Sequence, residues 1–197
     1  MVTVEVDRVR VESRLWAGEI GCPTCQDGVL GGWGYARVRQ IEGLSDPVRP
    51  RRARCRACAV THVLLPVTVL LRRAYAAKRI WAVLTARAGG FGHRRIGVRL
   101  GIPAATVRGW LRRAGSRLEA LRAWFLQVAV TAGVDVAILD AAGCAWGDVL
   151  AAAATATAAI TSRFGAAGVD GMVTVVQVAV ATSGGRLLAP GWSPPRC

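Results

Sequence analysis

The sequence has no long apolar run free of charge. Its most apolar uncharged stretch, Val149–Thr161, is mostly Ala and Thr and is bracketed by Asp148 and Arg163. That is too short to cross a bilayer. The opening segment, Met1 to Arg14, is charged throughout and lacks the apolar h-region of a secretory signal. Both absences point to a cytoplasmic setting with no membrane partner, where disulfides are rare. Lysine is nearly missing: Lys78 is the only one, and arginine supplies the remainder of 26 basic residues. Acidic residues number only 12, which leaves a net charge of +14. Disorder along the whole chain is excluded, because 53% of residues are hydrophobic. A length of 197 residues suffices for two small domains or one medium one.

The charge is concentrated. Residues 1–50 hold 6 basic and 7 acidic residues, and residues 126–197 hold 3 and 4. Residues 51–125 hold 17 basic residues and 1 acidic one, a net of +16. A field that strong and that local attracts a polyanion, whereas a merely solvated basic surface is the plainer alternative.

Hydrophobic periodicity outlines the elements. Val2, Val4, Val6, Val9 and Val11 alternate with polar residues, which argues for a strand over 2–11. Gly31, Gly32 and Gly34 read as a turn leading into a short strand at Tyr35–Arg39. Residues 43–50 form a loop, and residues 60–65 form a strand stopped by Pro66. From Val67 to Ala88 there is no Gly or Pro, and Ile80, Val83, Leu84 and Arg87 fall at helical spacing before Gly89-Gly90. Shorter helices follow at about 93–100, 104–114 and 116–132. In the Ala/Val/Thr-rich tail, 147–164 suits a helix, and 172–182 suits a helix or a strand.

Two C-x-x-C pairs, Cys22-Pro-Thr-Cys25 and Cys55-Arg-Ala-Cys58, carry the first chemical signal. Two intervening residues let both thiolates of a pair converge on one ion, and two pairs supply the four sulfurs of a tetrahedral Zn²⁺ site. The 29-residue gap between the pairs exceeds the commoner spacing of about 15–20 residues. A zinc ribbon tolerates it, because a hairpin fills the gap. A redox pair or disulfides are the competing readings. His62, four residues after Cys58, is either a substitute ligand or a strand-surface histidine. Cys144 reads as a small core residue, and Cys197, the last residue of the sequence, stands alone.

The second signal spans His93–Arg113. Ile96 and Leu100 put an apolar stripe on a short helix, and Gly97 is small where two helices cross closely. Gly101 can take the positive φ of a sharp turn, and Ile102 plugs the gap. Val107, Trp110 and Leu111 give the next helix a buried face, with Pro103 suited to its start. Facing outward are Ala104, Ala105, Thr106, Arg108, Gly109, Arg112 and Arg113. Small residues admit the backbone to a major groove, and arginine bonds guanine or grips phosphate. Trp81, Trp110 and Trp124 read as core residues.

Ile96, Leu100, Gly101, Ile102, Thr106, Val107, Trp110 and Leu111 together resemble the helix-turn-helix of bacterial DNA-binding proteins, including homeodomain-like transposases. Gly97 and Pro103 depart from the usual Ala and Ser/Thr. The resemblance implies that Ala105, Thr106, Arg108 and Arg112 face bases, and that Arg94, Arg95 and Arg113 face phosphate. With the cysteine pairs and the Thr61-His-Val-Leu-Leu-Pro66 run, residues 20–115 also resemble a bacterial group of small zinc-ribbon proteins related to transposases or of unknown function.

The resulting expectation is a mainly α fold with a small β zinc ribbon at the N-terminus, a three-helix helix-turn-helix core and an α-rich tail. The divisions fall at 1–66, 67–132 and 133–197. The partner is double-stranded DNA; one short helix reads few base pairs, which leaves room for a homodimer. No small-molecule substrate is indicated. A transposase fragment or accessory subunit, and a zinc-ribbon module that docks on proteins, are the alternatives. Catalysis has little to rest on. The acids after Ala114 are Glu119, Asp135, Asp140, Asp148 and Asp170, and no strand pattern gathers three of them as a two-metal centre requires. Asp148 and Asp170 read as cap or turn residues, and no Ser/His nucleophile pair has a local signature.

Overall fold

A computed structural model describes residues 1–133, 142–165 and 173–194. The fold is mixed α/β, with a four-stranded sheet in the N-terminal part and seven helices among the described residues. The chain forms two compact units, Met1–Ala77 and Lys78–Cys197.

In the first unit the strands are β1 (Val2–Val4), β2 (Leu30–Tyr35), β3 (Arg51–Cys55) and β4 (Thr61–Pro66), ordered β1-β4-β3-β2. β1 runs parallel to β4, and β3 pairs antiparallel with both β2 and β4. A helix, α1 (Arg8–Ala17), intervenes after β1. The strand expected over 2–11 therefore ends at Val4. Asp7 caps α1 by accepting hydrogen bonds from the N–H groups of Val9 (2.8 Å) and Arg10 (3.4 Å). Val11 and Leu15, four apart, then point into the core, while Val9 of the apparent alternation stands in solvent. The core gathers Val4, Val11, Leu15, Ile20, Leu30, Ala53 and Leu64 beside Cys22 and Cys55.

Two further expectations need correction. The glycines at 31, 32 and 34 lie inside β2 rather than in a turn before a strand, with an irregularity between Gly32 and Gly34 in the pairing with β3. The helix expected from Val67 begins only at Ala77. Residues 67–76 instead double back, with a bridge between Val69 and Ala76, and these two pack with Ile41 and Leu65 in a small second cluster.

The second unit contains α2 (Ala77–Ala88, shared at its first residue), α3 (His93–Leu100), α4 (Ala104–Gly115), α5 (Leu118–Thr131), α6 (Ala145–Phe164) and α7 (Val175–Thr182). The ambiguous 172–182 stretch is thus helical from Val175, fixed by a capping box between Thr174 and Gln177. Between α3 and α4 the chain turns at Gly101, whose φ is 63°. Its N–H and that of Ile102 bond back to Val98 and Gly97, and the Arg79 guanidinium donates to the Leu100 carbonyl at 2.6 Å. Ile96, Ile102, Val107, Trp110 and Ala114 are buried, while Leu111 is only half-buried. α5 and α6 make the most extensive helix contact, burying Leu121, Trp124, Phe125 and Ala129 on one and an alanine face on the other. Trp110 and Trp124 are buried and Trp81 half-buried; Trp192 meets Trp124 edge-on at 5.6 Å. Cys144 is not a core residue. It is exposed and caps α6, its sulfur accepting from the Gly147 N–H at 3.3 Å. Asp148 accepts from the Ala142 N–H at 2.8 Å, as a turn residue does. Asp135, Asp140, Asp170 and Cys197 lie outside the described residues. No helix among the described residues is long and apolar enough to cross a membrane.

Close crossing of α3 and α4 rests on Gly97, where an added Cβ would sit 2.7 Å from the Ile102 carbonyl oxygen and 3.3 Å from the Ala104 Cα. Both neighbours are backbone and cannot swing aside. Gly97→Ala is therefore expected to destabilise the helical unit by about 1–3 kcal/mol, read as a lower melting temperature. An unchanged melt would contradict the close approach.

Candidate functional site

The two knuckles meet at one end of the sheet. Cys22 and Cys25 precede β2, Cys55 closes β3, and Cys58 lies in the turn to β4. All four Sγ atoms lie within 4.8 Å of one another. Across the knuckles, Cys22 and Cys58 are 3.8 Å apart, and Cys25 and Cys55 are 3.6 Å apart. Four sulfurs at about 2.3 Å from a central Zn²⁺ would stand about 3.8 Å apart on tetrahedral edges. A disulfide would need about 2.05 Å. The cluster thus fits one tetrahedral metal ion such as zinc, and the four cysteines named by their spacing are the ones brought together.

Backbone geometry prepares the sulfurs for charge. The Thr24 N–H donates to Cys22 Sγ, and the N–H groups of Ala57 and Cys58 donate to Cys55 Sγ, each at 3.4 Å. Burial raises the Cys22 thiol, but the N–H groups of Thr24 and Cys25 and the neighbouring thiols outweigh it and bring it down to about 6. Cys25 is pushed up to about 12, first by its hydrogen bonds to the Cys55 and Cys58 thiols and then by burial. Cys55 is lowered, chiefly by the Cys58 N–H. The Cys22, Cys25 and Cys55 thiols thus differ in how firmly they hold their protons, and a divalent cation displaces protons from the thiols that bind it.

Two features were not legible from the cysteine spacing. A Cβ on Gly28 would lie 2.5 Å from both Cys25 Sγ and Cys55 Sγ, so only glycine leaves the sulfurs room to converge. Its place three residues after Cys25 was the available signal. His62 is neither a surface residue nor part of the four-sulfur cluster: it is 5% exposed. Its Nδ1 accepts from the Met1 amine at 3.0 Å, and its Nε2 lies 3.5 Å from both Cys22 Sγ and Thr24 Oγ1. A histidine so placed supports a sulfur ligand from behind.

The arginine-rich segment of the second unit is a separate feature. Arg94 and Arg95 are exposed on the first turn of α3, and Arg95 stacks over the Phe91 ring at 4.8 Å, with Arg99 over it at 5.5 Å. On α4, Ala105, Arg108 and Arg112 are exposed and Thr106 is half-buried. Arg113 is also half-buried; it folds back to donate to the Gly109 carbonyl at 3.1 Å. No carboxylate among the described residues pairs with Arg94, Arg95, Arg108, Arg112 or Arg113. Burial, and then the Arg113 charge beside it, lower Arg117. α3 and α4 both begin without a side-chain cap and without an acid in the first turn.

The chain matches no protein-family model, no curated protein and no solved structure. The resemblances read from the motifs thus stand on those residues alone.

The metal assignment predicts a sharp loss on removing one sulfur. A structural zinc contributes roughly 10–16 kcal/mol of binding free energy in small domains. Cys55→Ser is expected to abolish stoichiometric zinc binding and to unfold the Met1–Ala77 unit, followed by metal analysis and circular dichroism. An unchanged melting profile would count against a structural metal.

Proposed function

We propose that the chain is a zinc-containing DNA-binding protein in which α4 enters the major groove of double-stranded DNA. On this reading the four cysteines hold Zn²⁺ as a structural ion, and the protein acts by binding rather than by catalysis. It serves as a transcription regulator or as a protein that binds the ends of a mobile element. α3 and α4, with the buried Ile102 between them, form the helix-turn-helix pair.

The observation that carries the reading is the character of the exposed α3–α4 surface. Its arginines lack carboxylate partners among the described residues. The first turn of α3 opposes its own dipole, since His93, Arg94 and Arg95 sit at the end where backbone N–H groups already point outward. A protein folding for its own stability places acids there; a protein that meets phosphate gains from both the N–H groups and the cations. The exposed face of α4 begins with a small residue, Ala105, and continues with Arg108 and Arg112. That order lets the helix start approach the base edges while longer side chains reach guanine or phosphate. Arg113, bonded to its own helix, stands as a phosphate contact near the end of α4.

Base and backbone contacts separate experimentally. Arg108→Ala is expected to cost about 1–3 kcal/mol at the preferred site and to relax its sequence. Random-site selection on the purified protein measures this, and an unchanged selected sequence would contradict base readout. Arg94→Ala is expected to weaken all sequences alike and to flatten the salt dependence by about one; a loss confined to one sequence would contradict a phosphate role.

A further inference from the structure

We propose that the N-terminal unit carries a second nucleic-acid site, one that takes unpaired bases of a single strand. It is a groove of about 410 Å³ between α1 and the β2–β3 edge. Trp16 of α1 and Trp33 of β2 line it, 83% and 54% exposed. Gly31 and Gly32 form part of its wall, and Arg54 and Arg56 stand along it.

Exposed tryptophan is costly in water, and two indoles on one groove make an apolar surface that the unit's own core does not use. Their neighbours are arginines. The Arg54 guanidinium lies over the Trp33 ring at 4.7 Å, and its Nε donates to the Ala59 carbonyl, so the pair is held in place rather than free to swing. Arg54 and Arg56 are exposed and have no carboxylate partner among the described residues. The one acid on the groove, Glu12, is taken up by Arg51 at 2.6 Å. Flat rings for stacking beside unpaired cations are what a single strand requires: each base offers a π-face and each linkage offers a phosphate. In a duplex the bases are already stacked on one another, so the indoles would be left unused.

This site is independent of α4, and the test keeps the two apart. A fluorescein-labelled thymidine oligonucleotide of about 12 nucleotides, within the span of one such site, is titrated with the zinc-loaded full chain and followed by anisotropy. A duplex is titrated in parallel. Trp16→Ala and Trp33→Ala are each expected to weaken the oligonucleotide about tenfold while leaving the duplex unchanged. Arg108→Ala should leave the oligonucleotide unchanged. Arg56→Gln, which removes the charge of an exposed side chain between Cys55 and Cys58 without adding a carboxylate beside the thiolates, should weaken the oligonucleotide and flatten its salt dependence at unchanged zinc content; it keeps the test open if Trp33→Ala misfolds. Failure of the wild-type chain to bind the oligonucleotide at about 0.1 M salt would overturn the proposal. So would tryptophan variants that bind it as tightly as wild type, or that lose duplex and oligonucleotide equally.

Discussion

The N-terminal unit depends on four sulfurs being drawn to one point. Its strands are three to six residues long, β2 holds three glycines, and the hydrophobic cluster is small and includes Cys22 and Cys55 themselves. Short strands of this kind are marginal without help. A metal bond set of roughly 10–16 kcal/mol is as large as the whole net stability of an ordinary domain. The local backbone submits to that demand. Gly28 gives up its side chain so that Cys25 and Cys55 can close in. Ala59, just after Cys58, holds φ at 60°, a conformation that favours glycine, while its N–H bonds the Cys55 carbonyl. His62 spends its buried ring on orienting Cys22 rather than on the core.

The helical unit shows the opposite economy. Its interior is well satisfied: Ile96, Val107 and Phe125 are fully enclosed. Its outward-facing helix starts are not. The α3 and α4 N-termini have neither side-chain caps nor acids, and at α3 two arginines, Arg94 and Arg95, stand in the first turn. Arg113 and Arg117 crowd near the end of α4, where burial and like charge act against Arg117. Such local disagreements with an otherwise consistent fold are where function usually resides, and the charge at the helix starts is the ground for proposing a polyanionic partner. In the N-terminal unit the exposed tryptophans are the corresponding exception.

What could be read from the sequence was what acts over a few residues. C-x-x-C spacing dictates convergence by itself, so the ligand set was legible. Gly101, Ile102 and the apolar positions of α3 and α4 likewise define a turn between two helices without outside help. Elsewhere the pattern depended on distant partners. Val2 to Val11 alternates as a strand would, yet Asp7 offers a cap and β4 supplies partners only for Val2 to Val4. The Val67–Ala76 stretch lacks breakers, but Val69 and Ala76 are claimed by Ile41 and Leu65. Cys144 has the composition of a core residue and the position of a cap. The burial of His62 depends on β1 lying beside β4, a parallel pairing that no local pattern announces.

X-ray absorption at the zinc edge of the purified protein tests the four-sulfur centre most directly. The account predicts one zinc per chain with four sulfur neighbours at about 2.3 Å. Fewer than four sulfurs, or a nitrogen neighbour at about 2.0 Å from His62, would contradict it.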